Sequence, residues 1–167
     1  MECFFCETKI NSNPGCCPKC LVQLPLKEHQ VNPVNKIQLV RGRIARNIPG
    51  AMDTTVKSGN GLGKLFAPTW PMVLGSKNFK EPGRYPGYAP LSWDQYVYQY
   101  VKILDRQFLT QIGLPEALVA FGRGHENRIV FQCYCPLSTL HCHTEVLIPY
   151  LVDEFPHYFT LTPPRKG

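Results

Sequence analysis

The sequence predicts an α/β body, a sheet with at least partly parallel strands layered with helices, preceded by a small N-terminal zinc ribbon. Three observations predict it. Strand-type and helix-type segments alternate after residue 36, the pattern of helices laid on a sheet with at least partly parallel strands. Four cysteines near the N-terminus form two Cys-x2-Cys pairs. A capped amphipathic helix beginning at Trp93 anchors the middle of the body.

Residues 1–22 read as a metal-stapled knuckle. The spacing is Cys3-x2-Cys6-x10-Cys17-x2-Cys20. Each short turn aims both sulfurs to one side, so two turns surround one tetrahedral zinc. Pro14-Gly15 turns the chain between the pairs, and Cys16 is left spare. Four thiolates leave no open position, so this zinc is expected to be structural. Disulfides are the alternative use of such cysteines. Residues 23–35 hold Pro25 and Pro33 with little periodicity and read as a linker.

The body is expected over residues 36–160, with 161–167 a flexible tail. Lys36 to Arg46 reads as a first strand and Ala51 to Val56 as a second, separated by Pro49-Gly50. Ser58 to Lys64 is glycine-rich and reads as a loop. Thr69 to Leu74 suits a short helix with Pro71 in its first turn. Residues 76–91 carry three prolines and several aromatics and read as a long loop or insertion. Ser92 and Gln95 form a capping box for the helix from Trp93 to Ile112, which Gly113 ends. Pro115 opens a shorter helix through Phe121. Arg128 to Cys133 reads as a buried strand, and a last helix runs from about Cys142 to Phe155, bent or interrupted near Pro149.

The chain has 167 residues, 44% of them hydrophobic, with a net charge of +6. No segment approaches the roughly 18 apolar residues of a membrane span, and the first residues lack a signal-peptide pattern. A soluble, cytoplasmic protein is expected. Residues 36–84 hold nine Lys and Arg against Asp53 and Glu81, while the segments on either side are near neutral. Such a local excess favours an anionic partner, a nucleotide or nucleic acid, and Arg41, Arg43 and Arg46 are candidate phosphate contacts. A solvated basic face is the plain alternative.

The C-terminal chemistry gathers around Cys133-Tyr134-Cys135-Pro136 and Cys142-His143. The first run ends a strand and the second opens a helix. In α/β sheets, ligands sit beyond the carboxyl ends of strands and at helix N-termini. A helix N-terminus also lowers a thiol's pKa. Three roles remain open: a catalytic or ligand-contacting Cys142 assisted by His143, a second zinc site from Cys133, Cys135, Cys142 and His141 or His143, or cysteines that merely pack. If the strands ending at Asp53 and Cys133 are parallel, Asp53 shares that edge and one pocket with Cys133, Cys142 and His143.

Ser58-Gly59-Asn60-Gly61-Leu62-Gly63-Lys64-Leu65 invites a phosphate-loop assignment and fails it. The Walker pattern needs one more residue between its glycines and a hydroxyl after the lysine, where Leu65 stands. The dinucleotide pattern fails on spacing too. A glycine loop flanked by Lys57 and Lys64 can still cradle an anion through backbone N–H groups, with Thr54 and Gly61 alongside. The plain alternative is a surface loop.

Cys133-Tyr134-Cys135-Pro136, then Cys142-His143, then Glu145 to Leu151 resemble the C-terminal signature of an uncharacterised Rossmann-like family of bacteria and phages. That family ends a strand in Cys-x-Glu or Cys-x-Cys and opens its last helix with Cys-His-Arg. Asp53 to Gly59 and Ala67-Pro68-Thr69-Trp70 are similar to its upstream strand and loop. The resemblance covers about residues 36–155 and leaves out the ribbon. Thr144 stands where the family carries Arg. The resemblance implies a Rossmann-like fold, a site at the Cys-His motif and an accessory role in infection, in the host cytoplasm if the chain is phage-encoded. Two functions follow as expectations. In one, the domain binds or acts on a nucleotide or nucleic acid, with Asp53, Cys142 and His143 as catalytic groups and Thr54, Lys57, Gly61, Lys64, Cys133 and Cys135 as ligand contacts. In the other, the ribbon and the aromatic loop 82–93 grip a host or partner protein without chemistry.

Overall fold

The computed structural model describes residues 36–161, all within the second of two compact units, Met1–Asn32 and Pro33–Gly167. The ribbon cysteines Cys3, Cys6, Cys17 and Cys20, the linker and the tail from Thr162 lie outside the described residues. The domain is mixed α/β. Its strands are β1 (Ile37–Arg43), β2 (Ala51–Asp53), β3 (Arg128–Cys133) and β4 (Phe159–Leu161), in the order β2-β3-β1-β4. Every neighbouring pair is parallel. Among the described residues no helix is long and apolar enough to cross a membrane.

The alternation of β1 sets the core. Ile37 and Leu39 are buried while Gln38 between them is exposed. Leu39 pairs with Ile129, and Met52 pairs with Phe131, so these side chains share one face. That face joins Phe66, Tyr100, Leu104, Leu118, Leu147 and Leu151 from the helices and their connections in one cluster. β3 is the inner strand between β2 and β1 and is buried from Ile129 to Cys133. This accounts for its unbroken Ile-Val-Phe run.

β1 ends at Arg43 rather than Arg46, because residues 44–50 must return past β3 to start the parallel β2. Gln132, buried on the face opposite Phe131, ties down this return: its amide donates to the carbonyls of Arg43 and Ala45 at 3.3 and 3.2 Å. β2 is also shorter than expected, ending at Asp53. β4 was not anticipated from the sequence. Among the described residues it is a three-residue edge strand whose only sheet neighbour is β1.

The helices are α1 (Gly61–Leu65), α2 (Trp70–Lys80), α3 (Trp93–Thr110), α4 (Leu114–Arg123) and α5 (His143–Glu154). The capping box on α3 is present, with the Gln95 backbone N–H donating to Ser92 Oγ and Ser92 N–H donating to Gln95 Oε1. Helix α2 runs six residues beyond its expected end. Buried Asn78 explains the order of the chain after it: its side chain donates to the carbonyls of Tyr85 and Tyr88 and accepts from Tyr85 N–H, all at 2.6–2.7 Å. Helix α5 runs through Pro149 without a break. Tyr100, fully buried in α3, donates its hydroxyl to the Phe66 carbonyl at 2.5 Å.

The glycine segment is a correction. Residues 61–65 form a short helix where a loop was expected. A Cβ at Gly63 would collide with the Asp53 carbonyl, and one at Gly59 would meet the Thr55 and Asp53 carbonyls. These glycines let the chain press against the end of β2. Gly61 has φ +49° with open space around it, so its need is conformational.

Candidate functional site

Three elements bring sulfur to one place. Cys133 is the last residue of β3, Cys135 lies two residues on, and Cys142 is the N-cap of α5. Their sulfurs all lie within 4.8 Å of one another, close enough to hold a metal ion. Cys133 Sγ and Cys135 Sγ are 3.5 Å apart. Three sulfurs at zinc–thiolate bond length would be about 3.8 Å apart around a tetrahedral ion, whereas a disulfide needs about 2.05 Å. All three are free cysteines.

Burial and mutual contact divide the protons unequally. Hydrogen bonds from Cys133 and Cys135 pull the Cys142 thiol far below its ordinary value; burial opposes them, and His143 adds to them. Cys133 goes far up, through its contacts with Cys135 and Cys142 and through burial. Cys135 is raised on balance: its bond to Cys133 lowers it, while Cys142 and burial outweigh that. Without a metal, the cluster therefore carries its charge at Cys142 and keeps protons on the other two. A bound divalent cation would drive off those protons as well.

His143, first residue of α5, is oriented by Thr54. Thr54 is fully buried just past β2, and its hydroxyl lies 2.9 Å from the Gln132 carbonyl and 2.8 Å from His143 Nε2. The hydroxyl has one proton and the carbonyl can only accept it. Nε2 must then carry a hydrogen and donate to Thr54. This turns Nδ1 toward Cys142 Sγ, 3.9 Å away. Thr54→Val is expected to lower stability by about 1–3 kcal/mol by leaving buried polar partners unsatisfied. Thr54→Ser should retain most of it. Urea denaturation of both variants checks this, and equal losses would contradict the bridging role.

Asp53 ends β2 at the same sheet edge as Cys133, since the two strands are parallel. Its carboxylate, however, is spent on the turn that follows. It accepts from Thr55 N–H at 2.8 Å and from the Ser58 hydroxyl at 2.6 Å, and Ser58 Oγ lies 3.0 Å from Tyr134 Oη. Burial raises the Asp53 carboxyl, but the Ser58 and Thr55 hydrogen bonds, with Lys64 nearby, leave it below its ordinary value. Asp53 thus shapes the turn and is not among the cavity-lining residues. Lys64 donates to the Val56 carbonyl at 2.8 Å and, like Gly61, does not line the cavity.

The thiols open on a cavity of about 740 Å³. Cys133, Cys135, Cys142, His143 and Lys57 line it together. Its remaining walls were not anticipated from the sequence. Trp70, Phe79, Trp93, Tyr96 and Tyr134 supply aromatic surface, and Lys77 and Lys80 supply charge. No carboxylate stands among the described lining residues. His141 also lines it, its ring stacked on Trp93 with centroids 4.7 Å apart. A signal was there to be read: Trp70, Val73, Ser76, Lys77 and Lys80 fall at helical spacing along one face of α2.

Arg41 is a second correction. It does not stand free for phosphate. From β1 it donates to the carbonyls of Pro136 and Leu137, both at 3.0 Å, and pairs with Glu145 of α5 at 2.5 Å. It thereby clamps the segment between Cys135 and Cys142. Comparison of the chain with family models, curated proteins and solved structures gives no match.

Proposed function

We propose that this is a Rossmann-like domain that binds a nucleotide, free or as the exposed end of a single strand, beside a zinc ion held by Cys133, Cys135 and Cys142. The cavity wall carries the proposal: five aromatic side chains and three lysines surround a space with no described carboxylate. Aromatic faces suit a base and lysines suit phosphate. The volume is within the roughly 300–1,000 Å³ of small-molecule sites. Cysteine-only ligation favours zinc over the hard, oxygen-seeking cations. The N-terminal knuckle would hold a second, structural zinc. Of the nine basic residues between 36 and 84, Lys57, Lys77 and Lys80 line the cavity, and none of these three pairs with a described carboxylate.

Equilibrium dialysis with nucleoside diphosphates and a short single-stranded oligonucleotide tests this. Binding should weaken as salt rises. The Lys77→Gln, Lys80→Gln double variant should lose about threefold to tenfold in affinity, since exposed charge contacts contribute about 0.2–1 kcal/mol each. Preference for the oligonucleotide would identify a strand end as the ligand. No binding of either probe at low salt would contradict the proposal.

A further inference from the structure

The three sulfurs leave one question of chemistry open, which is what completes the coordination of a metal they hold. Zinc takes four ligands; closed sites are structural and sites with three protein ligands keep an exchangeable position. Among the described residues, only the three cysteines form the group of mutually close donors. His143 Nε2 is committed to Thr54, and its Nδ1, 3.9 Å from Cys142 Sγ, does not join the group of mutually close donors. The His143 ring is also held edge-on against Tyr100, with centroids 5.8 Å apart at 84°. His141 lies flat against Trp93 and is likewise outside the group. The Asp53 carboxylate is bonded to Ser58 and Thr55. Thr144 Oγ1 lies 3.2 Å from Cys142 Sγ, but a neutral hydroxyl is a weak zinc ligand beside thiolates. All three cysteines line the cavity.

We infer that the metal centre is open: an ion bound by Cys133, Cys135 and Cys142 takes its fourth ligand from the cavity. The inference rests on the zinc site proposed above and not on the identity of the nucleotide. Charge then selects the donor. Three thiolates on a divalent ion leave a net negative centre, which repels phosphate. A neutral nitrogen donor, such as a heteroaromatic ring nitrogen, is the class it accepts. Lys77 and Lys80 stand on α2 whereas the thiols stand at the end of β3 and the start of α5, so a nucleotide would bind with its base toward the metal and its phosphates toward Lys77 and Lys80.

Cobalt(II) loaded into the full-length chain in place of zinc reports this directly, with imidazole as the probe. The visible cobalt bands should shift and saturate as imidazole is added. Cys135→Ser should bind one cobalt fewer per chain and lose the imidazole response. Cys135 is the most exposed of the three thiols, so this variant disturbs the core least. Cys133→Ser serves as the second variant, and circular dichroism checks the fold of both. Two results overturn the inference and can be told apart. If cobalt stoichiometry is unchanged in both folded variants, there is no metal centre at these cysteines, and the zinc assignment falls with it. If cobalt is lost from the variants but the wild-type spectrum ignores imidazole, the centre exists and is closed by a fourth protein ligand.

Discussion

In the metal-free chain, Cys142 is expected to react with iodoacetamide ahead of Cys133 and Cys135, and to keep reacting as the pH falls to about 6. The direction follows from the proton distribution. Cys142 lies far below the ordinary thiol value because the neighbouring thiols donate to it, so it remains a thiolate as the pH drops. Cys133 and Cys135 are raised, so they remain protonated through neutral pH and above. An ordinary thiol with a pKa of about 8.5 is only about 0.3% ionised at pH 6. Cys142 would therefore hold the advantage in thiolate fraction over an ordinary thiol at that pH. Two effects reduce it. A thiolate of low basicity is intrinsically a poorer nucleophile, and Cys142 is only 2% exposed, reached through the cavity. Peptide mapping after timed alkylation at several pH values measures the outcome. Zinc should protect all three cysteines. Preferential labelling of Cys133 would contradict the proton distribution.

Arg41→Gln is expected to damage both stability and the metal site. The substitution removes the ion pair with Glu145 and the charge-assisted bonds to Pro136 and Leu137. Breaking a buried pair costs about 3–5 kcal/mol. The Glu145 side chain is 43% exposed while that of Arg41 is 12% exposed, so water compensates part of the loss and about 2–3 kcal/mol is the expectation. Metal affinity should fall by about 10–100-fold, the usual effect of removing a group that positions ligands. Glu145→Gln keeps the carbonyl bonds and should cost under about 1 kcal/mol. Urea denaturation and competition with a zinc chelator separate the two effects. A stable Arg41→Gln variant with unchanged zinc affinity would show that the clamp is dispensable.

Local signals were legible in the sequence and long-range ones were not. The capping box at Ser92 and Gln95 and the strand from Arg128 to Cys133 could be read because the residues that define them are adjacent in the chain. The placement of Asp53 and Cys133 at one edge followed from parallel strands, which a chain alternating strands and helices favours. The use of the Asp53 carboxylate did not follow. Asp is also a turn-forming residue, and here the turn through Thr55 and Ser58 occupies both its oxygens. The glycines at 59 and 63 look like an anion loop because glycine permits any close approach, and sequence does not say whether the visitor is a ligand or the chain's own backbone. Arg41 carried no mark distinguishing it from exposed Arg43, since its partners lie about a hundred residues away. Strand β4 is three residues long and is defined by its pairing with β1.

The most direct measurement uses the chain's own chromophores. It has two tryptophans, and both line the cavity: Trp70 opens the lysine-bearing helix α2, and Trp93 stacks on His141 beside the thiol cluster. Titrating the zinc-loaded full-length protein with a nucleoside diphosphate should change tryptophan emission saturably, because any ligand that fills the cavity meets one ring or the other. Inorganic pyrophosphate at the same ionic strength should give a much smaller change, since it lacks a base to stack. Emission that does not respond to nucleotide at any concentration up to about 1 mM, the weak end of specific binding, would contradict the cavity as a nucleotide site.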